Sequence, residues 1–146
     1  MQAFHFRLEK VLAWRRTELE LEQYKMRLLC VELEAIEQSR ARLTAERVVA
    51  HHEILRTRRI DGADLNAHAA GLVYFDGRDR ALLRRRTEQE RLIAEAHKRL
   101  LEARRRLRLL EKLKTNRHAQ WTTELNRELE TFAAEAHLAR WNRERQ

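Results

Sequence analysis

Residues 60–77 read Ile60-Asp61-Gly62-Ala63-Asp64-Leu65-Asn66-Ala67-His68-Ala69-Ala70-Gly71-Leu72-Val73-Tyr74-Phe75-Asp76-Gly77 and contain all three glycines of the chain. Glycine most readily bends or ends a helix, and the sequence has no proline to do so elsewhere. The stretch therefore predicts the one break in the protein, a bend over 60–77. Within it, residues 63–70 are rich enough in helix formers for a short helical turn. On either side lie two arms, about 4–59 and about 78–145, that contain neither glycine nor proline.

Both arms carry a heptad. Alternating steps of four and three from Leu8 meet Leu8, Leu12, Arg15, Leu19, Glu22, Met26, Leu29, Leu33, Ile36, Arg40, Leu43, Arg47, Ala50 and Ile54. Ten of these fourteen positions are apolar, a repeat sustained long enough to specify a supercoiled seam. The second arm gives Leu82, Arg86, Gln89, Ile93, Ala96, Leu100, Ala103, Leu107 and Leu110. After Lys114 the phase slips by one residue and resumes as Leu125, Leu129, Phe132, Ala136 and Ala139, as a stutter would make it do.

Two such arms about one bend predict an all-α fold, a long antiparallel two-helix coiled coil forming one hairpin over 1–146. That pairing should gather Phe4, Phe6 and Trp14 at the same end as Trp121, Phe132 and Trp141, and set Glu22 close to Lys114 or Arg117.

Composition points the same way. Charged residues make up 37% of the chain, and a proline-free chain rich in Ala, Glu, Arg and Leu reads as long helix. The N-terminus lacks the basic-then-apolar layout of a secretory signal, and no apolar run approaches the roughly 18 residues that would span a bilayer. The single cysteine, Cys30, leaves the fold independent of an oxidising compartment, so a cytoplasmic protein is expected. A thin helical seam offers little material for a concave, water-excluding active site. His5, His51, His52, His68, His97, His118 and His137 show no zinc spacing, and there is no phosphate-cradling glycine loop or nucleophile elbow. The sequence thus predicts no enzyme, no metal, no cofactor and no small-molecule substrate.

Two surface features stand out. Trp14, Thr17, Leu21, Tyr24, Leu28, Val31 and Ala35 recur every three or four residues on the first helix, at heptad positions opposite the seam. The equivalent face of the second helix is charged, with Glu95, Lys98, Glu102, Arg105 and Lys112. An apolar strip on a highly charged protein marks a partner surface, with Trp14, Leu21, Tyr24, Leu28 and Val31 as its contacts; self-association through the strip is the competing reading. The second feature is charge. Residues 78–117 hold fifteen Lys/Arg against six Asp/Glu. Such a helix could contact nucleic acid or an anionic lipid surface, but arginine and glutamate are interleaved and no nucleic-acid module is visible, so solvation of a coiled coil is the favoured reading.

The opening segment, Phe4-His5-Phe6-Arg7-Leu8-Glu9-Lys10-Val11-Leu12-Ala13-Trp14-Arg15-Arg16-Thr17-Glu18, resembles the start of the flagellar FliJ family, with phenylalanines two apart, a Leu-Glu-x-Val-Leu core, and an arginine and a glutamate one turn on. The central break and the charged tail Trp141-Asn142-Arg143-Glu144-Arg145-Gln146 are similar too. The resemblance implies a soluble, non-enzymatic component of the type III protein export apparatus. Its members look like the coiled-coil stalk of rotary ATPases, insert into the hexameric export ATPase ring and link it to the export-gate membrane protein; the ATPase regulator and export chaperones are further implied partners. The implied location is cytoplasmic, peripherally associated with the cytoplasmic face of the inner membrane, and the related injectisome stalk fits equally. Carried onto this chain, the model makes Phe4, Phe6, Arg7, Arg15, Trp141 and Arg143 the ATPase-facing end, and Leu72, Tyr74 and Phe75 the end that reaches the gate. A generic coiled-coil adaptor and a basic nucleic-acid or membrane-surface binder are the alternatives.

Overall fold

The computed structural model describes residues 3–145 and consists of two helices, α1 (Glu9–Arg56) and α2 (Gly62–Glu144), packed against each other as an all-α helical hairpin. By its internal contacts the chain, expected as a single hairpin domain, divides into two compact units. One combines the chain up to Glu20 with the chain from Glu102 onward; the other is Leu21–Leu101.

In the Leu21–Leu101 unit, the seam read from the heptad is the packed face. Ile36, Leu82 and Ala96 are buried, and Met26, Leu29, Leu33, Leu43, Ile93 and Leu100 are half-buried beside them. Arg47 is the exception, lying exposed. The helices run antiparallel, and ion pairs bridge them along the seam's edges: Arg47–Asp76 at 3.0 Å, Arg40–Asp79 at 2.9 Å, Arg86–Glu37 at 3.2 Å and Arg99–Glu22 at 3.7 Å. Such flanking charges set partner orientation more than they stabilise.

The break is much shorter than the predicted bend. Between α1 and α2 only residues 57–61 lie outside helix, so 62–77 belongs to α2. Asp61 caps the new helix: its Oδ1 accepts from the Asp64 N–H at 2.8 Å, while Asp64 Oδ2 accepts from the Asp61 N–H at 3.1 Å. This reciprocal arrangement satisfies donors that a helix start leaves open. Gly71 and Gly77 then sit inside the helix with ordinary negative φ. One glycine costs a helix interior only about 1 kcal/mol, too little to stop a helix that also packs along a seam.

A Cβ placed on Gly71 or Gly77 would meet nothing within 4 Å. Gly71→Ala and Gly77→Ala should therefore each raise stability by about 0.5–1 kcal/mol, read from urea unfolding. A loss of stability in either variant would show that the bend needs its glycines.

In the other unit, residues 3–8 run non-helically into α1, with the Glu9 N–H donating to the Phe6 carbonyl at 3.1 Å. This differs from a helix beginning near residue 4. Phe6, Leu12 and Leu107 form a buried cluster, with Phe4, Leu19 and Leu110 packed on it, and Ala103 is buried nearby. Leu8, expected on the seam, is exposed. Lys114 pairs with Glu9 at 2.8 Å and Arg106 with Glu18 at 3.9 Å. Lys114 thus does not meet Glu22, because moving the turn from the middle of 60–77 to 57–61 shifts the register by about two heptads. The same shift leaves the end of α2 without a facing helix. Leu125 is half-buried, but every described residue from 126 to 145 is exposed, so the resumed heptad at Leu129, Phe132, Ala136 and Ala139 is not a seam within this chain.

Candidate interaction surfaces

The outer face of α1 is where the heptad put it. In the Leu21–Leu101 unit, Leu21, Tyr24, Leu28 and Val31 are all at least half exposed, Val31 reaching 63%. They recur one helical turn apart, so they line one stripe on the side away from Met26, Leu29 and Leu33. Burying such a stripe against a partner would remove apolar area worth roughly 25 cal/mol per Å². Trp14, in the other unit, is likewise exposed, with the Arg15 guanidinium 4.5 Å from its ring centroid. Arg15 also donates to Glu18 at 2.6 Å, so its charge is already committed locally.

The six residues assigned to an ATPase-facing end do not come together. Phe6 is buried in the core cluster, because an extended residue two before the first turn of α1 can fold back on Leu12 and Leu107. Phe4 is half-buried, its ring edge-on to His118 at 4.9 Å and 5.9 Å from Trp121. Phe4, Phe6 and Arg7 line one groove with Leu113, Arg117 and Trp121, so this part of the expected cluster is assembled around aromatic rings and two guanidinium groups. Trp121 lies beside Phe4 as the antiparallel pairing predicts; His118 and Arg117 are not predicted there, because their place on the second helix needs the register to read. Trp141 and Arg143 lie elsewhere on the exposed end of α2, where the Arg145 guanidinium covers the Trp141 ring at 4.0 Å and Arg143 Nε donates to the Ala139 carbonyl at 3.3 Å. The long overhang of α2 separates them from Phe4.

The residues assigned to the bend end also sort differently. Leu72 and Phe75 are half-buried seam residues of α2 that line a groove with Ala50 and Ile54. Val73 and Tyr74 point outward instead, at 74% and 60% exposure. The apolar tetrad Leu72-Val73-Tyr74-Phe75 is thus split by helical geometry into two structural and two surface residues.

His51 and His68 approach across the turn, with ring centroids 5.7 Å apart. No group of three His, Cys, Asp or Glu among the described residues is placed to hold a metal ion. No helix among them is long and apolar enough to cross a membrane. In the basic stretch, Arg91 donates to Glu88 and Glu95. The hydrogen bond from Arg91 holds the Glu88 carboxyl below its ordinary range, and the exposed pair raises Arg91 in turn. Arg86, Arg99, Arg106 and Lys114 are engaged with glutamates as well. No known protein family, curated protein or solved structure matches the chain.

Proposed function

We propose that this chain is a non-enzymatic stalk of a type III protein export apparatus, binding the export ATPase ring and coupling it to the export gate, with export chaperones as further partners. The observation that carries the reading is the stripe of Leu21, Tyr24, Leu28 and Val31, exposed on the back of a helix whose opposite face packs in the hairpin seam. A spacer that only needed solubility would carry charge there, as α2 does at Lys98, Glu102, Arg105 and Lys112. The opening segment's resemblance to the FliJ family supplies the identity of the partner. Its half-buried Phe4 and exposed Arg7, beside Arg117 and Trp121, form the second contact in this reading, and Val73 with Tyr74 the gate contact.

The mechanism is mechanical. The hairpin couples changes in the ring to a second component and performs no chemistry of its own. Purified protein is expected to stimulate a cognate export ATPase while hydrolysing no ATP alone. Leu21→Glu with Tyr24→Glu should remove most of that stimulation with helicity unchanged, because both side chains lie outside the seam. Undiminished stimulation by the double variant would exclude the stripe as the ATPase contact. Failure of wild-type protein to affect any export ATPase would leave a coiled-coil adaptor of another system. Tyr74→Ala should weaken gate binding without loss of stability, whereas Phe75→Ala should lower stability as well, since only Phe75 belongs to the seam.

A further inference from the structure

The last part of α2 is a helix with a heptad stripe and none of the described residues of the facing helix upon it. Leu129, Phe132, Ala136 and Ala139 repeat at seam spacing beyond Leu125, and all four are exposed, Phe132 at 71%. A segment of this length is marginal as an isolated helix in water and gains most of its stability from packing an apolar face. We propose that this face pairs antiparallel with the same segment of a second copy of the chain. The proposal does not rest on the function given above.

Two asymmetries along the segment select that occupant and that orientation. The first is size. The bulky seam residues Leu125, Leu129 and Phe132 come early, and the small ones, Ala136 and Ala139, come late. Antiparallel pairing about a two-fold axis near Ala134 sets Phe132 of each copy beside Ala136 of the other, and Leu129 beside Ala139. Phe132 and Leu129 then each face an alanine, which is how facing layers fill space evenly, and Leu125 falls opposite Arg143, whose aliphatic stem can cover it. Parallel pairing would set Phe132 on Phe132 and leave a gap at the alanines. The second asymmetry is charge. Before the axis Glu124, Glu128 and Glu130 outnumber Arg127, whereas after it Arg140, Arg143 and Arg145 outnumber Glu135 and Glu144. An isologous antiparallel contact brings the acidic half of each copy onto the basic half of the other, twice over. Glu128 of each copy falls opposite Arg140 of the other, while Glu135 of the two copies meet near the axis and Glu124 falls opposite Glu144, the like-charge approaches in the arrangement.

The test is sedimentation equilibrium over a range of protein concentrations, on wild type and on Phe132→Glu. Wild type should dimerise, and Phe132→Glu should weaken the dimer by on the order of 100-fold, as loss of a central aromatic anchor does; its exposure means the hairpin itself is undisturbed. A wild-type monomer at every concentration overturns the proposal. So does a dimer that Phe132→Glu leaves intact, since association then uses another face such as the Leu21–Val31 stripe. Orientation is read by oxidative cross-linking in a Cys30→Ser background. Leu129→Cys chains mixed with Ala139→Cys chains should cross-link to each other, and neither should cross-link efficiently alone. Efficient cross-linking of Leu129→Cys to itself would establish parallel pairing and overturn the arrangement.

Discussion

Leu12→Ala is expected to lower stability by about 2–5 kcal/mol, the range for emptying a well-packed leucine site. Leu12 is fully buried, and its neighbours are Phe6 and Leu107, with Phe4, Leu19 and Leu110 around them. Residues 3–8 carry no helix of their own, so hydrophobic contact with this cluster is the main force that holds Phe4 and Phe6 in place. Removing the leucine side chain should therefore free the N-terminal segment as well as leave a cavity. Hydrogen exchange should quicken most in residues 9–20 and 102–120, and the groove lined by Phe4, Arg7, Arg117 and Trp121 should lose its wall. Leu28→Ala is the control: the same chemical change on an exposed face should move stability by no more than about 0.5 kcal/mol. Urea unfolding of the two variants decides the matter, and equal effects would mean that the seam is not where the stability lies. If the groove contacts the export ATPase, Leu12→Ala should also reduce stimulation although Leu12 itself touches no partner.

The seam and the outer stripe were legible because they depend only on local periodicity. A residue's side of a helix follows from its spacing to neighbours one turn away, and both Leu12 and Val31 fall where that spacing puts them. The turn is shorter than the glycine content predicts because capping outweighs it. Asp61 and Asp64, three apart at the front of an alanine-rich run, carried the signal for a helix start, and Gly71 and Gly77 carried a weaker and contrary one. From that difference the rest follows. A heptad pattern repeats every seven residues, so a register wrong by about two heptads still places apolar positions on apolar positions. Nothing in the periodicity could warn that Glu22 faces Arg99 rather than Lys114, or that Phe132 and Trp141 overrun the facing helix. Fixed pairs such as Arg40 with Asp79 resolve the register, but they become recognisable only once the turn is known. The division of Leu72 and Phe75 from Val73 and Tyr74 has the same origin: read as loop the tetrad is one patch, and read as helix it has two faces.

One residue of the seam carries the register in its chemistry. Gln89 is only 6% exposed, and its Nε2 donates to the Leu29 carbonyl at 2.9 Å and approaches Glu32 Oε2 at 3.4 Å across the helix pair. A single polar side chain at a seam position favours the one alignment that satisfies it. Gln89→Glu keeps the shape but replaces the donor with acceptors, so a carboxylate would face a carbonyl and a second carboxylate in a dry seam. Leaving an unsatisfied group at this buried position costs about 1–3 kcal/mol, and more when it is charged, and that loss is expected at neutral pH. The sign of its pH dependence is fixed by the same geometry. The new carboxyl would be protonated more readily folded than unfolded, so folding takes up a proton between the two values and stability falls as pH rises through that window. Below the ordinary carboxylate range the protonated group can donate to Leu29 again and most of the loss should disappear. Gln89→Leu should behave oppositely, unfolding at no lower urea concentration than wild type at any pH, because the Leu29 carbonyl keeps its helical N–H partner and the seam gains an apolar side chain. Urea titrations of both variants at neutral and acidic pH separate these outcomes. A Gln89→Glu variant as stable as wild type at neutral pH would mean that Gln89 reaches water, and that the alignment of α1 on α2 is set by the Arg40–Asp79 and Arg47–Asp76 pairs instead.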